Sequence, residues 1–214
     1  NISEAVSYTF ILDQFAAAPR FTLKDDTGRS SSDVITSDAS LALLDVESRS
    51  TVAYSIDGGE TWTSTFTAIS GLNSVQARQT DLAGNLSEAS NVFTFVLDIT
   101  APDAPTAALL NDTGASGSDL ITNDGRLILS DLESSAIVQY STDGGENWAD
   151  DFAAANGVNN VQVRQVDVAG NASEASDVLS FTFDDLPAFG ISIKLAQDTG
   201  RSTSDKITRN GGTI

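Results

Sequence analysis

The segment Asn160–Val166, NVQVRQV, runs directly into Asp167–Asn171, DVAGN, and this combination decides how the chain folds. Val161 and Val163 alternate with polar residues, and such a period of two is typical of a β-strand with one buried face. The Asp, Gly and Asn that follow favour a turn. The segment therefore predicts a half-buried strand that ends in a tight turn.

The same segment stands 86 residues earlier, as Ser74–Thr80, SVQARQT, followed by Asp81–Asn85, DLAGN. Asp-Thr-Gly at 26–28 returns at 112–114 and at 198–200, and Trp62 returns as Trp148. Residues 26–97 and 112–183 align without a gap, with 40 identical positions out of 72. A solenoid repeat has about 20–50 residues, whereas a period of this length suits an independently folding sandwich of roughly 100 residues.

This period divides the chain into four expected parts. Residues 1–12 match the end of a repeat and are expected to be the C-terminal strand of a truncated preceding copy. Residues 13–97 are repeat one, residues 98–183 are repeat two, and residues 184–214 begin a truncated third copy. Both terminal parts are incomplete copies and the first residue is not Met, so we expect the array to continue in both directions.

The strands of repeat two can be placed by their alternation and by the turn-forming residues between them. They are expected at Ala104–Leu110, Arg126–Ser130, Ala136–Thr142, Asn160–Val166 and Val178–Phe183. No stretch carries a helical stripe. About seven short strands per repeat would make an all-β chain of tandem Ig-like or fibronectin-III-like β-sandwich domains, arranged head to tail.

Composition excludes several kinds of site. The chain has no Cys and no His, so it lacks thiolate nucleophiles, sulfur-ligated metals and the commonest general base. Its 11 basic residues are scattered among 30 acidic ones, for a net charge of −19. The sequence therefore lacks the clustered Lys and Arg residues that bind nucleic acid. Of the acids, 23 are Asp and 7 are Glu. An excess of Asp favours turns and hard-cation sites.

The stretch Ser55–Trp62, SIDGGETW, and its copy Ser141–Trp148 fit the Asp-box pattern S-x-D-x-G-x-x-W of sialidases and other β proteins. We interpret it as a hairpin turn in which Asp57 and Asp143 cap backbone amides and the Trp folds back on the sheet. The alternative is a Trp that stacks on a sugar. A sialidase propeller would need more boxes and an arginine cluster, which the sequence lacks.

The remaining acids fall on loops at opposite poles of each expected sandwich. The C-terminal pole of repeat one carries Asp26 and Asp33, with Asp98 directly after its last strand, and that of repeat two carries Asp112 and Asp119, with Asp184 directly after its last strand. The N-terminal pole carries Asp45, Glu47 and Asp81 in repeat one, and Asp131, Glu133 and Asp167 in repeat two, while Asp13 stands where Asp98 does in the next copy. In a head-to-tail array, Asp26, Asp33 and Asp98 should therefore converge on Asp131, Glu133 and Asp167.

Acids gathered in one gap repel each other by roughly 1 kcal/mol per pair at 4 Å even in water. A hard cation removes this repulsion, and Ca²⁺ takes about 6–8 oxygen ligands from flexible loops, whereas Mg²⁺ demands a tighter octahedron. We therefore predict Ca²⁺ sites built from the thirteen acids named above. The alternative is that these acids only form turns and keep the surface soluble.

Several motifs together resemble the bacterial Ig-like repeats of giant secreted adhesins and biofilm-associated proteins. They are Asp98–Pro102 (DITAP), Asp112–Gly114 (DTG), Ser118–Thr122 (SDLIT), the YSxDGGxxW stretch and DxAGN. The resemblance implies a long protein exported by type I secretion, in which tandem domains form a stalk with calcium at the domain junctions. It covers nearly the whole chain, except that Asp13–Pro19 is one residue short and residues 184–187 lack Thr-Ala-Pro.

These observations favour a non-catalytic extracellular spacer that supports cell adhesion or biofilm formation. Its partners would be neighbouring repeats and, through other domains, a host-cell or biofilm-matrix surface, with no nucleic acid and no membrane insertion. A module that binds carbohydrate or a cell surface through each repeat is the alternative. An enzyme that uses paired carboxylates is a third hypothesis, and duplicated sites in every repeat argue against it.

Overall fold

The structure is a computed structural model that describes residues 7–187 together with residues 190, 204 and 206. The chain separates into two compact units, Asn1–Phe183 and Asp184–Ile214. The first unit contains both complete repeats. Most of residues 184–214, the expected third copy, lies outside the described residues.

Repeat one is built from six strands: β1 (Arg20–Leu23), β2 (Ile35–Thr36), β3 (Leu41–Leu44), β4 (Thr51–Ser55), β5 (Gly71–Thr80) and β6 (Phe93–Leu97). Four of them form a sheet in the order β2-β6-β5-β4, in which β2 runs parallel to β6 and the other pairs are antiparallel. The antiparallel pair β1-β3 forms a second, two-stranded sheet. The repeat is thus a two-sheet structure with a short parallel edge.

Repeat two has the same topology. Its strands are β7 (Thr106–Leu109), β8 (Ile121–Thr122), β9 (Leu127–Ser130), β10 (Ile137–Ser141), β11 (Gly157–Val166) and β12 (Leu179–Phe183). They form the sheets β8-β12-β11-β10 and β7-β9. The described residues contain no helix, and so none long and apolar enough to cross a lipid bilayer. The predicted all-β class with Ig-like sandwiches is confirmed, with six named strands per repeat where about seven were expected.

The core follows the alternation of β5 and the aromatic side chains around it. Val75, Ala77 and Gln79 on β5 are buried, as is Phe95 on β6. The two sheets meet through rings, because Phe21 of β1 stacks on Phe93 of β6 with centroids 5.9 Å apart. This ring contact joins the two sheets of repeat one.

Repeat two packs the same space with smaller side chains. Ala107 stands in place of Phe21 and Leu179 in place of Phe93. Its ring contacts are those of Phe152 with Tyr140 at 5.9 Å and with Phe181 at 6.4 Å. The fold therefore tolerates a change in the size of its core residues while the strand pairing stays fixed.

Residues 7–12, expected to form the last strand of a preceding copy, form no strand in the structure. Their apolar side chains face solvent, with Tyr8 88% and Ile11 94% exposed. The equivalent strand β6 is held by β5 and β2 on its two sides. Residues 7–12 have no such neighbouring strands in the described part of the chain, and an isolated strand does not hold its conformation.

Candidate functional site at the junction of the repeats

The Asp-Thr-Gly loop of repeat one (Asp26–Gly28) lies directly against the Asp-x-Ala-Gly-Asn turn of repeat two (Asp167–Asn171). The Thr27 hydroxyl donates a 2.6 Å hydrogen bond to the carbonyl oxygen of Ala169. The backbone N–H of Arg29 donates to the carbonyl oxygen of Val168 at 3.3 Å. Two motifs that the sequence repeats separately are therefore the two sides of one contact between successive repeats.

The two copies of the turn differ in exposure because only one of them is covered. Ala169 is 1% exposed, and Val168 and Gly170 are half-buried. Their counterparts in repeat one, Leu82–Gly84, are all exposed, and Leu82 is 74% exposed. The contact with the Asp-Thr-Gly loop thus buries apolar surface at the turn, which favours the docked arrangement.

Two glycines make this close approach possible. Gly28 has a φ of 92°, and a Cβ on it would lie 2.0 Å from the carbonyl oxygen of Val168. Gly170 has a φ of 95°, and a Cβ there would lie 2.8 Å from the Gly28 nitrogen. Any other residue at either position would meet rigid backbone. The junction therefore needs glycine for space as well as for conformation.

An asparagine side chain fastens the start of each repeat to its own turn. Asn171 Nδ2 donates to the Asp98 carbonyl oxygen at 2.9 Å and to Asp167 Oδ2 at 2.8 Å. Asn85 Nδ2 donates in the same way to the Asp13 carbonyl oxygen at 3.1 Å and to Asp81 Oδ2 at 2.7 Å. These bonds bring the first acid of each repeat to the acid of the turn.

At the N-terminal pole of repeat one, three acids meet. Asp13, Glu47 and Asp81 each offer a carboxylate oxygen, and these oxygens lie within 4.8 Å of one another. Asp81 is buried, Glu47 is half-buried and Asp13 is exposed. The Asn85 side-chain amide, with backbone amides of the same turn, lowers the pKa of Asp81 and keeps it ionised. Ligands on opposite sides of Ca²⁺ are about 5 Å apart, so this group has the size of a calcium site.

The buried side chain of Gln79 positions the loop that carries Glu47. Its Nε2 donates to the carbonyl oxygens of Ala17 at 2.7 Å and Asp45 at 2.9 Å, and its Oε1 accepts from the Glu47 N–H at 2.8 Å. Gln165 makes the equivalent bonds in repeat two. Sequence reasoning missed both glutamines. The available signal was a polar residue, identical in both copies, on the apolar face of the strand.

The structure does not gather the six acids expected at the boundary between the repeats. Among the described residues no three of them bring oxygens within 4.8 Å of one another. In repeat one, the Ala17 N–H donates to Glu47 Oε1 at 3.2 Å. Repeat two has Asp103 in place of Ala17 and one more residue in the linker. The longer linker and the substitution of Asp103 for Ala17 thus distinguish this boundary from the Asp13 group.

Asp45 and Asp131 point to partners outside the acid group. Asp45 Oδ2 accepts from Arg20 Nε at 2.5 Å, and this hydrogen bond lowers the pKa of Asp45. Asp131 Oδ2 accepts from the Thr106 hydroxyl at 3.2 Å. Both aspartates have positive φ, 60° and 61°, which Asp tolerates better than most residues. Their role in the structure is to shape the turn after β3 or β9.

The loop after the first strand places its acids identically in both repeats. Asp26 Oδ2 accepts from the Val34 N–H at 3.0 Å, and Asp33 Oδ1 from the Ile35 N–H at 3.1 Å. Asp112 and Asp119 make the same bonds in repeat two, where they accept from the N–H groups of Leu120 and Ile121.

The other carboxylate oxygen of this loop is unpaired in both repeats. Asp26 Oδ1 and Asp112 Oδ1 are buried and accept no hydrogen bond among the described residues. Val34 and Leu120 are held at φ values of 57° and 58°, a conformation that is strained for bulky side chains. A buried carboxylate oxygen without a donor is costly, and a cation would satisfy it.

The acids that directly follow the last strand of each repeat act as local caps. Asp98 Oδ1 accepts from the Thr100 N–H at 3.0 Å, and Asp184 Oδ1 accepts from the Leu186 N–H at 3.1 Å. Each bond spans two residues and turns the chain into the following linker. Both carboxylates keep a second oxygen for another partner.

The Asp-box hairpins are closed by internal bonds. Asp57 accepts from Thr61, through its hydroxyl and its N–H, and from the Ser55 hydroxyl, which lowers the pKa of Asp57 to about 2. Trp62 Nε1 donates to the Gly59 carbonyl oxygen at 3.0 Å, and the Arg78 guanidinium lies 4.2 Å from its ring centroid. The Trp is therefore stapled to its own hairpin, as the turn interpretation expects.

No family model matches the chain, and no curated protein matches it. A solved structure that is similar to the chain contains fibronectin(III)-like modules of CbhA from Clostridium thermocellum. The match has 14% sequence identity and a TM-score of 0.46, and it covers 81% of this chain and 99% of that one. At this identity and TM-score, the likeness carries no functional information.

Proposed function

We propose that the chain is a non-catalytic extracellular spacer of a large bacterial adhesin, in which calcium at the junctions stiffens a row of repeats. The observation that carries the proposal is the contact of Thr27 and Gly28 in repeat one with Val168–Gly170 in repeat two. A spacer needs each repeat to fix the direction of the next. A loop that docks on a turn does this at the boundary between repeats one and two.

Calcium is proposed for the acid group Asp13, Glu47 and Asp81 because of its geometry and charge. Three carboxylates with oxygens within 4.8 Å repel one another unless a cation lies between them. The group lies beside the Leu82–Gly84 turn, which is the counterpart of the turn that receives a neighbouring repeat. The unpaired oxygens of Asp26 and Asp112 are proposed as further ligands on the opposite pole.

Several features of the proposal rest on the sequence resemblance alone. They are export by type I secretion, location at the bacterial cell surface, and a role in adhesion or biofilm formation through other domains of a longer protein. The net charge of −19 keeps such repeats soluble and apart from one another. It also concentrates divalent cations near the acids.

The alternative, in which each repeat binds carbohydrate, has less support. A sugar-stacking Trp needs a free ring face and a polar edge open to the ligand. Arg78 covers one face of Trp62, and Trp62 Nε1 is bonded to Gly59. Arg164, Trp148 and Gly145 repeat this arrangement. Binding of the full chain to a glycan array, lost when Trp62→Ala and Trp148→Ala are combined, would favour this alternative.

The proposal is tested by following the full chain in millimolar calcium and after chelation. Calcium at ten times its dissociation constant should add about 1.4 kcal/mol per site to the free energy of unfolding. The melting temperature and the maximum dimension from solution scattering should both rise, and a chelator should reverse both changes. Magnesium at the same concentration should do less. If neither quantity responds to calcium, the calcium part of the proposal is wrong.

A further inference from the structure

The Thr27 hydroxyl can donate across the boundary between the repeats because Ser37 occupies its acceptor side. A Thr hydroxyl has one proton to donate and two lone pairs that accept. The Ser37 backbone N–H donates to Thr27 Oγ1 at 2.7 Å, and the Ser37 hydroxyl lies 3.0 Å from the same atom. The single Thr27 proton goes to the Ala169 carbonyl oxygen of repeat two, 2.6 Å away. The Ser37 hydroxyl is therefore the donor in its contact with Thr27.

The destination of this one proton matters because its acceptor is buried. Ala169 is 1% exposed, and Thr27 is the one donor to its carbonyl oxygen among the described residues. A buried carbonyl oxygen that loses its donor has no water to replace it, which is costly. Any group in repeat one that takes the Thr27 proton should thus weaken the contact with repeat two.

Repeat two has such a group at the same position. Asn123 stands 86 residues after Ser37. The Thr113 hydroxyl donates to Asn123 Oδ1 at 2.8 Å, and the Asn123 backbone N–H donates to Thr113 Oγ1 at 2.8 Å. The loop therefore folds with an asparagine here, and the side-chain carbonyl of that asparagine reaches the Thr hydroxyl.

The other neighbour of the Thr hydroxyl does not distinguish the two loops. Thr27 Oγ1 lies 3.1 Å from Thr36 Oγ1, and Thr113 Oγ1 lies 3.1 Å from Thr122 Oγ1. The Thr36 hydroxyl donates to the Asp25 carbonyl oxygen at 3.0 Å. The difference between the loops is thus the side chain that follows this second threonine, a serine in one and an asparagine in the other.

We propose that the side chain at position 37 sets the strength of the contact between the repeats. A serine donates to Thr27 and leaves the Thr27 proton for Ala169, whereas a side-chain carbonyl competes for that proton. Ser37 acts through Thr27 and is therefore a positioning residue. The inference rests on the proposed spacer, which needs each repeat to be fixed on the next. It adds that one residue outside the Asp-Thr-Gly motif makes a boundary firmer or looser.

Hydrogen exchange of the Arg29 amide in the full chain tests the proposal. This N–H donates to the Val168 carbonyl oxygen across the boundary, so its exchange reports local opening of the contact. Ser37→Asn should accelerate its exchange about 5-fold, which corresponds to the net contribution of one hydrogen bond. The Val34 amide, which is bonded to Asp26 within the loop, should exchange as in the native chain.

Two control variants separate the side-chain carbonyl from a general change in the loop. Ser37→Ala has no group that accepts the Thr27 proton and should accelerate Arg29 exchange by less than about 2-fold. Asn123→Ser makes the reverse change in the other loop and should leave Arg29 exchange unchanged. In a Thr27→Val background, Ser37→Asn should have no further effect, because no proton is left to compete for.

Each of four results overturns the proposal. They are no acceleration in Ser37→Asn, an equal acceleration in Ser37→Ala, an equal acceleration of the Val34 amide, and a full effect of Ser37→Asn in the Thr27→Val background. All exchange is measured with a chelator, so the outcome does not depend on the calcium proposal. The proposed function fails by its own test, in which calcium changes neither melting temperature nor length.

Discussion

Gly28 of repeat one and Gly170 of repeat two meet backbone to backbone, so that a Cβ on Gly170 would lie 2.8 Å from the Gly28 nitrogen and 3.0 Å from its Cα. Interactions of this kind tolerate no side chain on either partner, because the atoms that would be struck belong to rigid backbone. The close approach of the two repeats therefore depends on two residues without side chains.

Gly28→Ala should undock the two repeats, whereas Gly114→Ala should leave them docked. Both glycines have positive φ, 92° and 105°, so each variant carries a backbone cost of about 1 kcal/mol. Only the Cβ at position 28 would also strike the partner turn. Residual dipolar couplings report the relative orientation of the repeats. Equal changes in the two variants would show that the contact does not set this orientation.

Asp167→Asn should loosen the boundary between the repeats more than Asp150→Asn. Buried Asp167 accepts from both the N–H and the side-chain amide of Asn171, and an amide at position 167 can keep only one of these bonds, at a cost of about 1–3 kcal/mol. Exposed Asp150 accepts one bond, from Gln139. Amide chemical shifts of Thr27 and Arg29 report on docking. Similar shifts in the two variants would contradict the role given to Asp167.

Gln79→Leu should destabilise the chain by about 2–5 kcal/mol, because it leaves buried backbone groups of Ala17, Asp45 and Glu47 without their partners. Urea unfolding measures the change. Exposed Gln14→Leu is the control and should change stability by less than about 0.5 kcal/mol. A Gln79→Leu variant as stable as the control would mean that water satisfies those groups.

Acid should weaken the Asp-box hairpins within a defined window. Hydrogen bonds from Thr61 and Ser55 lower the pKa of Asp57 to about 2, and bonds from Asn147 and Ser141 do the same for Asp143, again to about 2. Because the unfolded pKa is about 3.9, their stabilisation is complete above that pH and is lost as the pH falls to about 2.

The variant Asp57→Asn should therefore show a shallower loss of stability with pH in that window. Chemical unfolding midpoints measured through the window check this expectation. Exposed Glu60→Gln, in the same hairpin, is the control. If Asp57→Asn and the native chain lose stability in parallel, the carboxylate of Asp57 does not support the folded hairpin.

The sequence predicts the strands well because apolar and polar residues alternate along each strand. The same alternation occurs in both repeats, so each strand is indicated twice. The segment NVQVRQV falls within the strand Gly157–Val166. Internal repetition also predicts the loops that meet, since the Asp26 loop and the Asp167 turn lie at opposite poles of their repeats. These features depend on pattern and topology, which a single sequence contains.

The choice of acids that come together depends on details that carry no such pattern. Asp45 is bonded to Arg20 and so does not join the acid group. Gln79 holds the Glu47 backbone, and Asn85 bonds to both Asp81 and Asp13. Each effect is decided by a single long-range contact. Residues 7–12 have the sequence pattern of strand β6 and yet form no strand. A strand also needs neighbouring strands to pair with, and the described residues contain none for this segment.

Equilibrium dialysis of the full chain against calcium tests the central claim most directly. The account predicts uptake with a dissociation constant of about 10⁻⁴–10⁻³ M, as for extracellular calcium modules. Asp81→Asn and Glu47→Gln should each lower the amount bound, whereas Asp150→Asn should bind as much as the native chain. No uptake in this range, or equal uptake by all four proteins, would contradict a calcium site at Asp13, Glu47 and Asp81.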